Sequence, residues 1–171
     1  MRGIEKMVEE KDLNKMKADT IHKIYESNQQ LIYVSDSKVA ALLLINAVLI
    51  SFSATWNLRE YSILAKIIIL VAIILAAAST IMYLLAIIPR VAEQAAESIL
   101  HYRGILRLSR QEYVSKMKEM ADEDLTKDYL DTIYSLSSIQ VKKNRYLKLG
   151  SQLLVVSIFL LALSFILNNI P

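Results

Sequence analysis

The sequence predicts an all-α integral membrane protein in which three transmembrane helices continue into a cytoplasmic helical bundle. Three observations carry this. Uncharged apolar runs occupy residues 39–56, 67–88 and 149–167 in a chain otherwise dense in Lys, Arg, Asp and Glu. Gly and Pro number three and two among 171 residues, so long helices with short connections are expected. Outside the runs, apolar side chains recur at spacings of three and four, the period of a helix with one buried face.

A hydrocarbon core of about 30 Å takes about 20 residues at a rise of about 1.5 Å each. The runs hold 18, 22 and 19. The first is the shortest, and Lys38 at its lower end can lengthen it by snorkelling. A hydrophobic fraction of 54% and a mean hydropathy of +0.36 stand beside 22% charged residues, so a lipid-facing and a water-facing part are both expected. With about a third of the chain in lipid, the rest is too short for a second globular domain. The chain contains no Cys, which excludes disulfides, thiolate metal sites and a cysteine nucleophile.

The elements follow in order. Residues 1–38 carry seven basic and seven acidic side chains and no apolar signal region, so they are expected to form a cytoplasmic amphipathic helix, with the first span as its own insertion signal. Its apolar positions are Ile4, Val8, Ile21, Ile24, Tyr25, Leu31 and Ile32. Residues 39–88 form a transmembrane hairpin, with spans 39–56 and 67–88 and a turn at Asn57 and Leu58. Pro89 kinks or interrupts the second helix. Residues 89–148 form a cytoplasmic helical hairpin. Its stripe of Ile99, Tyr102, Leu106, Tyr113, Met117 and Met120 breaks at the acidic stretch 121–124, where Asp122 or Asp124 can cap the next helix. Leu125, Tyr129, Ile133, Leu136 and Ile139 line that helix. Residues 149–171 are the third span and an external tail.

Lys and Arg divide as 7 before the first span, 2 between the first two, and 11 in residues 90–148. The positive-inside rule then places the N-terminus and the central segment in the cytoplasm and the C-terminus outside, in the plasma (inner) membrane. Trp56 and Tyr61 fall where an outer aromatic belt belongs.

No catalytic set is visible. His22 and His101 lack metal-ligand spacing, Gly3, Gly104 and Gly150 form no phosphate loop, and no nucleophile elbow accompanies the serines. The chain is expected to be no enzyme and to need neither metal nor cofactor. Polar residues at the inner membrane boundary are more informative. Asp36 and Lys38, two apart, sit on different helix faces and need separate partners; Asp36 is placed to meet the basic run Lys142, Lys143, Arg145 and Lys148. Asn46 inside the first span must face protein or a water-filled cavity, as an interhelical contact or a pore-lining group. Arg103, Arg107 and Arg110 make a second basic stripe, at helical spacings of four and three. Both basic clusters fit anionic lipid headgroups or a solvated face. They also fit a phosphate ligand held between them, with Tyr102, Tyr134 or Tyr146 to stack on a base.

Several stretches resemble the Pycsar membrane-effector family of antiviral defence. They are Asn28-Gln29-Gln30-Leu31-Ile32, Asp36-Ser37-Lys38-Val39-Ala40 and Asn46; then 102–117 with Leu108-Ser109 and Glu112-Tyr113; then Ile133-Tyr134-Ser135-Leu136-Ser137, Lys142-Lys143 and Tyr146. The likeness spans residues 27–167. The family pattern commonly has an aromatic pair where this chain has Tyr102-Arg103. The resemblance implies an effector triggered by a cyclic nucleotide that damages the inner membrane of an infected cell. It leaves nucleotide sensing to the helical bundle or to another subunit, since no separate β-barrel domain is present in the sequence pattern.

The resulting expectation is a homo-oligomer in the lipid bilayer that binds a cyclic nucleotide, and no nucleic-acid polymer, at its bundle and then rearranges its helices. A constitutive membrane anchor whose bundle docks a partner is the alternative. A transporter is disfavoured by the lack of inverted repeats and broken spans.

Overall fold

The computed structural model describes the backbone of residues 2–88, 98–100 and 102–169, and the side chains of 12–59, 61–88, 98–100 and 104–168. Ile4 and Val8, Pro89 and Arg90, and the side chains of His101, Tyr102 and Arg103 lie outside the described residues. Every regular element described is helical: α1 (Arg2–Ala54), a 3₁₀ turn (Leu58–Glu60), α2 (Ile63–Ile87), α3 (Tyr102–Leu106), α4 (Arg110–Glu119) and α5 (Asp122–Asn169). The chain divides into a polar unit, Met1–Ile32 with Arg90–Gln140, and a membrane unit, Tyr33–Pro89 with Val141–Pro171. Helices α1 and α5 each contribute to both.

The membrane unit contains three helices long and apolar enough to cross a bilayer. Lipid tails provide no hydrophobic drive for helix association, so close backbone approach through small residues must supply the packing. The buried positions of α2 are Ala65, Ile69, Ala72, Ala76, Ser79, Tyr83 and Ala86, alternating steps of four and three. Helix α5 buries Gly150, Leu154, Ser157, Leu161 and Ser164 on the same repeat, and α1 buries Ser35, Val39, Asn46 and Ser53. A period of 3.5 held by all three helices is that of left-handed, near-parallel helix packing. Rising α5 numbers meet falling α2 numbers, Gly150 with Ser79 and Ser157 with Ala72, so these two helices run antiparallel. Val39, Tyr83, Ala86 and Leu154 form one apolar cluster, against which Tyr146 packs; Ile69, Ala72 and Leu161 form another, flanked by Trp56 and Tyr61.

Local chemistry sets the helix ends. The α2 helix starts at Ile63, ahead of the apolar run, because the Ser62 hydroxyl accepts from Ala65 N at 3.2 Å. It stops at Ile87, and Ile88 precedes Pro89, which disfavours helical backbone before it. Between α1 and α2, the Trp56 ring stacks on Tyr61 at 5.8 Å and contacts Phe52 edge-on and Phe165 at a tilt, an aromatic group at the site the belt argument marks.

In the polar unit α1 and α5 run parallel. Tyr25 meets Tyr129 edge-to-face at 5.5 Å, Ser137 donates to Asn28 Oδ1 at 3.1 Å, and Gln140 Nε2 donates to the Leu31 carbonyl at 3.5 Å. The inward line of α1 is Ile21, Tyr25, Asn28 and Ile32; Ile24 and Leu31, expected in the apolar stripe, are exposed. The steps four, three and four of the inward line leave those two one position off the packed face. On α5 the expected stripe from Leu125 to Ile139 is half-buried throughout. The stripe from Ile99 to Met120 is carried by two helices, because Ser109 and Glu112 form a capping box that starts α4 afresh. Arg107 therefore lies in a turn and Arg110 opens α4, so the expectation of one helix face for Arg103, Arg107 and Arg110 is corrected.

Candidate functional site

The polar groups of the membrane unit form an ordered set of contacts. At the end of the unit nearest residue 33, Lys143 Nζ of α5 donates to Asp36 Oδ1 of α1 at 2.5 Å. Lys143 is 11% exposed and Asp36 43%. The four-carbon stem of a Lys allows a mostly buried side chain to carry its head to this carboxylate. Lys38, Lys142, Arg145 and Lys148 remain exposed.

Further along α1, Asn46 is fully buried. Its Nδ2 donates to the Ala76 carbonyl and to Thr80 Oγ1, both at 2.8 Å, and the Thr80 hydroxyl also reaches Ala76 O at 3.2 Å. Asn46 Oδ1 has no hydrogen-bond partner. Turning the amide over would set an oxygen against the Ala76 carbonyl, so the observed orientation is the one the donors require. The residue faces protein and ties α1 to α2.

Helices α2 and α5 are joined by hydroxyl-to-backbone bonds. Ser79 donates to the Gly150 carbonyl and Ser157 to the Ala72 carbonyl, each at 2.8 Å. Gly150 is the contact that permits the first of these: a Cβ there would lie 2.6 Å from Tyr83 Cε1. The Tyr83 hydroxyl reaches Ser151 at 3.5 Å. Sequence reasoning named Asn46 but not its acceptors. The adjacent Ser79 and Thr80 within an apolar run, and the seven-residue spacing of Gly150, Ser157 and Ser164, were the available signals.

In the polar unit, Ser98 Oγ lies 3.2 Å from Thr132 Oγ1, and Asp128 Oδ2 accepts from Ile99 N at 3.1 Å, binding the stretch before α3 to α5. His22 and Tyr25 both set ring edges against Tyr129. Burial, and then the neighbouring Tyr129 phenol, pushes the Tyr25 phenol above its ordinary value. Arg107 and Arg110 are exposed, as is Tyr134; Arg103 has no described side chain. Of the sequence-derived site residues, the structure joins Asp36 to Lys143, packs Tyr146 into the apolar cluster around Tyr83, and keeps Lys142 and Arg145 at the surface.

The Pycsar effector protein domain matches residues 20–168 of this chain. The protein belongs to that family. It is a Pycsar effector, an effector of cyclic-nucleotide-linked antiphage defence, and its apolar helices give it a membrane location. The match takes in every membrane contact described above, from Asp36 to Phe165. Comparison with curated proteins and with solved structures returns no match. In this Pycsar effector, helices α1 and α5 carry residues of both units without a break.

Proposed function

We propose that this Pycsar effector binds a cyclic mononucleotide at its cytoplasmic helical bundle and, as an oligomer in the inner membrane, repacks its helices so that the bilayer leaks. The N-terminus and the central segment face the cytoplasm, where the nucleotide is made, and the protein catalyses no reaction. The observation that carries this reading is the continuity of α1, 53 residues, and α5, 48 residues. A change in how these helices pack in the polar unit has two uninterrupted helices along which to reach the membrane unit. A ligand can drive such a change only through a preference for one packing over another. Exposed Arg107 and Arg110, with Tyr134, are candidates for holding a phosphate-bearing ligand in the polar unit, with Arg103 the remaining one there, and exposed Lys142 and Arg145 are separate candidates in the membrane unit.

The test is dye release from liposomes holding the full chain, titrated with cyclic pyrimidine and cyclic purine mononucleotides. One nucleotide should evoke release and also raise the unfolding temperature, since selective binding to the folded state stabilises it. Release and unfolding temperature unchanged by every nucleotide would leave the constitutive anchor as the better description.

A further inference from the structure

Each membrane helix leaves exposed a face of alternating steps of four and three, and within the apolar runs the three faces differ chemically. On α1 the face holds Ile45, Val48 and Phe52 beyond the exposed Lys38 and Ala41, and on α2 it holds Ile67, Leu70, Ile74, Ile81 and Leu84. On α5 the same repeat takes in Val141, Arg145, Lys148, Gln152, Val155 and Phe159, all exposed. Lipid tails satisfy the first two faces. They cannot satisfy a primary amide. Gln152 stands about 6 Å beyond Lys148 along the helix, at about 1.5 Å per residue, and bonds to no described residue. The exposed Ser51 hydroxyl of α1 is a different case, because a helical serine can use the carbonyl of its own preceding turn.

We infer that this face of α5 receives a second copy of the chain, and that the two copies together form a site for a phosphodiester anion between their Arg145 and Lys148 side chains. The inference deepens the ligand-triggered reading above and rests on it. Copies inserted the same way present α5 helices in parallel, so a two-fold axis along them sets like positions opposite each other. Gln152 then meets Gln152, each amide donating to the other's carbonyl, the contact by which amides join helices in lipid. The same symmetry sets Arg145 against Arg145 and Lys148 against Lys148. Among the described residues no carboxylate pairs with either cation, and Asp36 is engaged by Lys143.

Helix axes about 8–10 Å apart bring these cations within about one Debye length, so solvent ions screen their repulsion incompletely. The amides draw the copies together and the cations hold them apart. A phosphodiester placed between the cations shifts that balance toward association, because its two non-bridging oxygens can accept from an Arg of each copy and its charge offsets part of the repulsion. One copy alone offers only two solvated cations on a convex face; the site is complete only in the pair. A cyclic mononucleotide and an anionic phospholipid headgroup both carry the phosphodiester, and they can be told apart by experiment.

The chain has no Cys, so Val155→Cys introduces a single thiol on the proposed face and Ile74→Cys one on the lipid-facing side of α2. Both variants are reconstituted in phosphatidylcholine vesicles and oxidised, with and without cyclic mononucleotides, and again in vesicles containing phosphatidylglycerol. We expect Val155→Cys to cross-link several-fold more than Ile74→Cys when a phosphodiester of net negative charge is present, unlike that of phosphatidylcholine, which its own choline neutralises. Dependence on the nucleotide names it as the source, and dependence on phosphatidylglycerol alone names the lipid. Adding Arg145→Gln and Lys148→Gln should permit cross-linking without any anion, and adding Gln152→Leu should reduce it. Cross-linking at Val155 no greater than at Ile74 in every condition, or unaffected by these changes, would overturn the inference. Cross-linking without dye release would keep the docking face and sink the leakage reading. Release without cross-linking would do the reverse.

Discussion

Asp36 and Lys143, 107 residues apart in sequence, share a hydrogen bond of 2.5 Å that joins α1 to α5 within the membrane unit. The two partners are unequally buried, the amine at 11% exposure and the carboxylate at 43%.

That inequality predicts unequal mutational costs. Asp36→Asn leaves a nearly buried ammonium without its counterion, at about 1–3 kcal/mol. Lys143→Met leaves a carboxylate that water still reaches and replaces the stem with an apolar chain, at below about 1 kcal/mol. Exchanging the charges, Asp36→Lys with Lys143→Asp, should recover part of the loss. Unfolding of the purified variants in detergent measures each cost, and equal costs for the two single changes would refute the assignment.

Asn46 is predicted to be dispensable for stability despite its complete burial. Its two donated bonds are each worth about 0.6 kcal/mol in a membrane setting, whereas its unpartnered Oδ1 costs about 1–3 kcal/mol. Asn46→Leu removes both terms together, and Thr80 still bonds to Ala76 O. The unfolding temperature should hold or rise. Asn46→Asp, which sets an oxygen against the Ala76 carbonyl, should lower it, so a stable Asn46→Asp alongside an unstable Asn46→Leu would show the account to be mistaken.

Gly150 is predicted to admit no side chain. A Cβ would meet the fully buried Tyr83 ring at 2.6 and 2.9 Å, so Gly150→Ala must displace the ring or spread α2 from α5. Overpacking of this kind costs about 1–3 kcal/mol. Tyr83→Leu in the same chain should relieve most of it, and a double-mutant cycle by thermal unfolding reads the coupling. Additive effects of the two changes would mean that the ring is not what excludes the methyl group.

The membrane part of the fold was legible because lipid enforces it: an uncharged run of sufficient length has few alternatives, and Asn46 within such a run must face protein. The Asp36 to Lys143 contact was legible in kind, since both mark the same membrane boundary on helices read as running the same way. The choice of Lys143 over Lys142 depends on which residue of α5 faces α1, and an error of one position in register moves that choice by about 100° around the helix. The same sensitivity explains Ile24 and Leu31, which are apolar and one position away from the packed line. The break before α4 was written in the sequence as Ser109 and Glu112 at capping-box spacing, but a continuous apolar stripe obscured it. Burial of the Ser79, Ser157 and Ser164 hydroxyls depends on three helices meeting, and no single run discloses that.

The capping box at α4 makes a pH-dependent prediction. Ser109 N donates to Glu112 Oε2 at 2.8 Å and the Ser109 hydroxyl accepts from Glu112 N at 3.2 Å. Hydrogen bonding to the carboxyl from the Ser109 backbone first, and from the Ser109 hydroxyl second, holds Glu112 below its ordinary value of 4.5. A carboxylate with a lowered folded value contributes stability above the ordinary value and loses it as the pH falls through the folded one. The start of α4 should therefore loosen only in acid. In detergent-solubilised protein, the Ser109 amide resonance should titrate with a midpoint under 4.5. Glu112→Gln, which preserves an oxygen acceptor at the same position, should abolish the titration, and Ser109→Ala should move the midpoint upward. An amide that titrates at or above 4.5, or is indifferent to Ser109→Ala, would exclude the box as the cause.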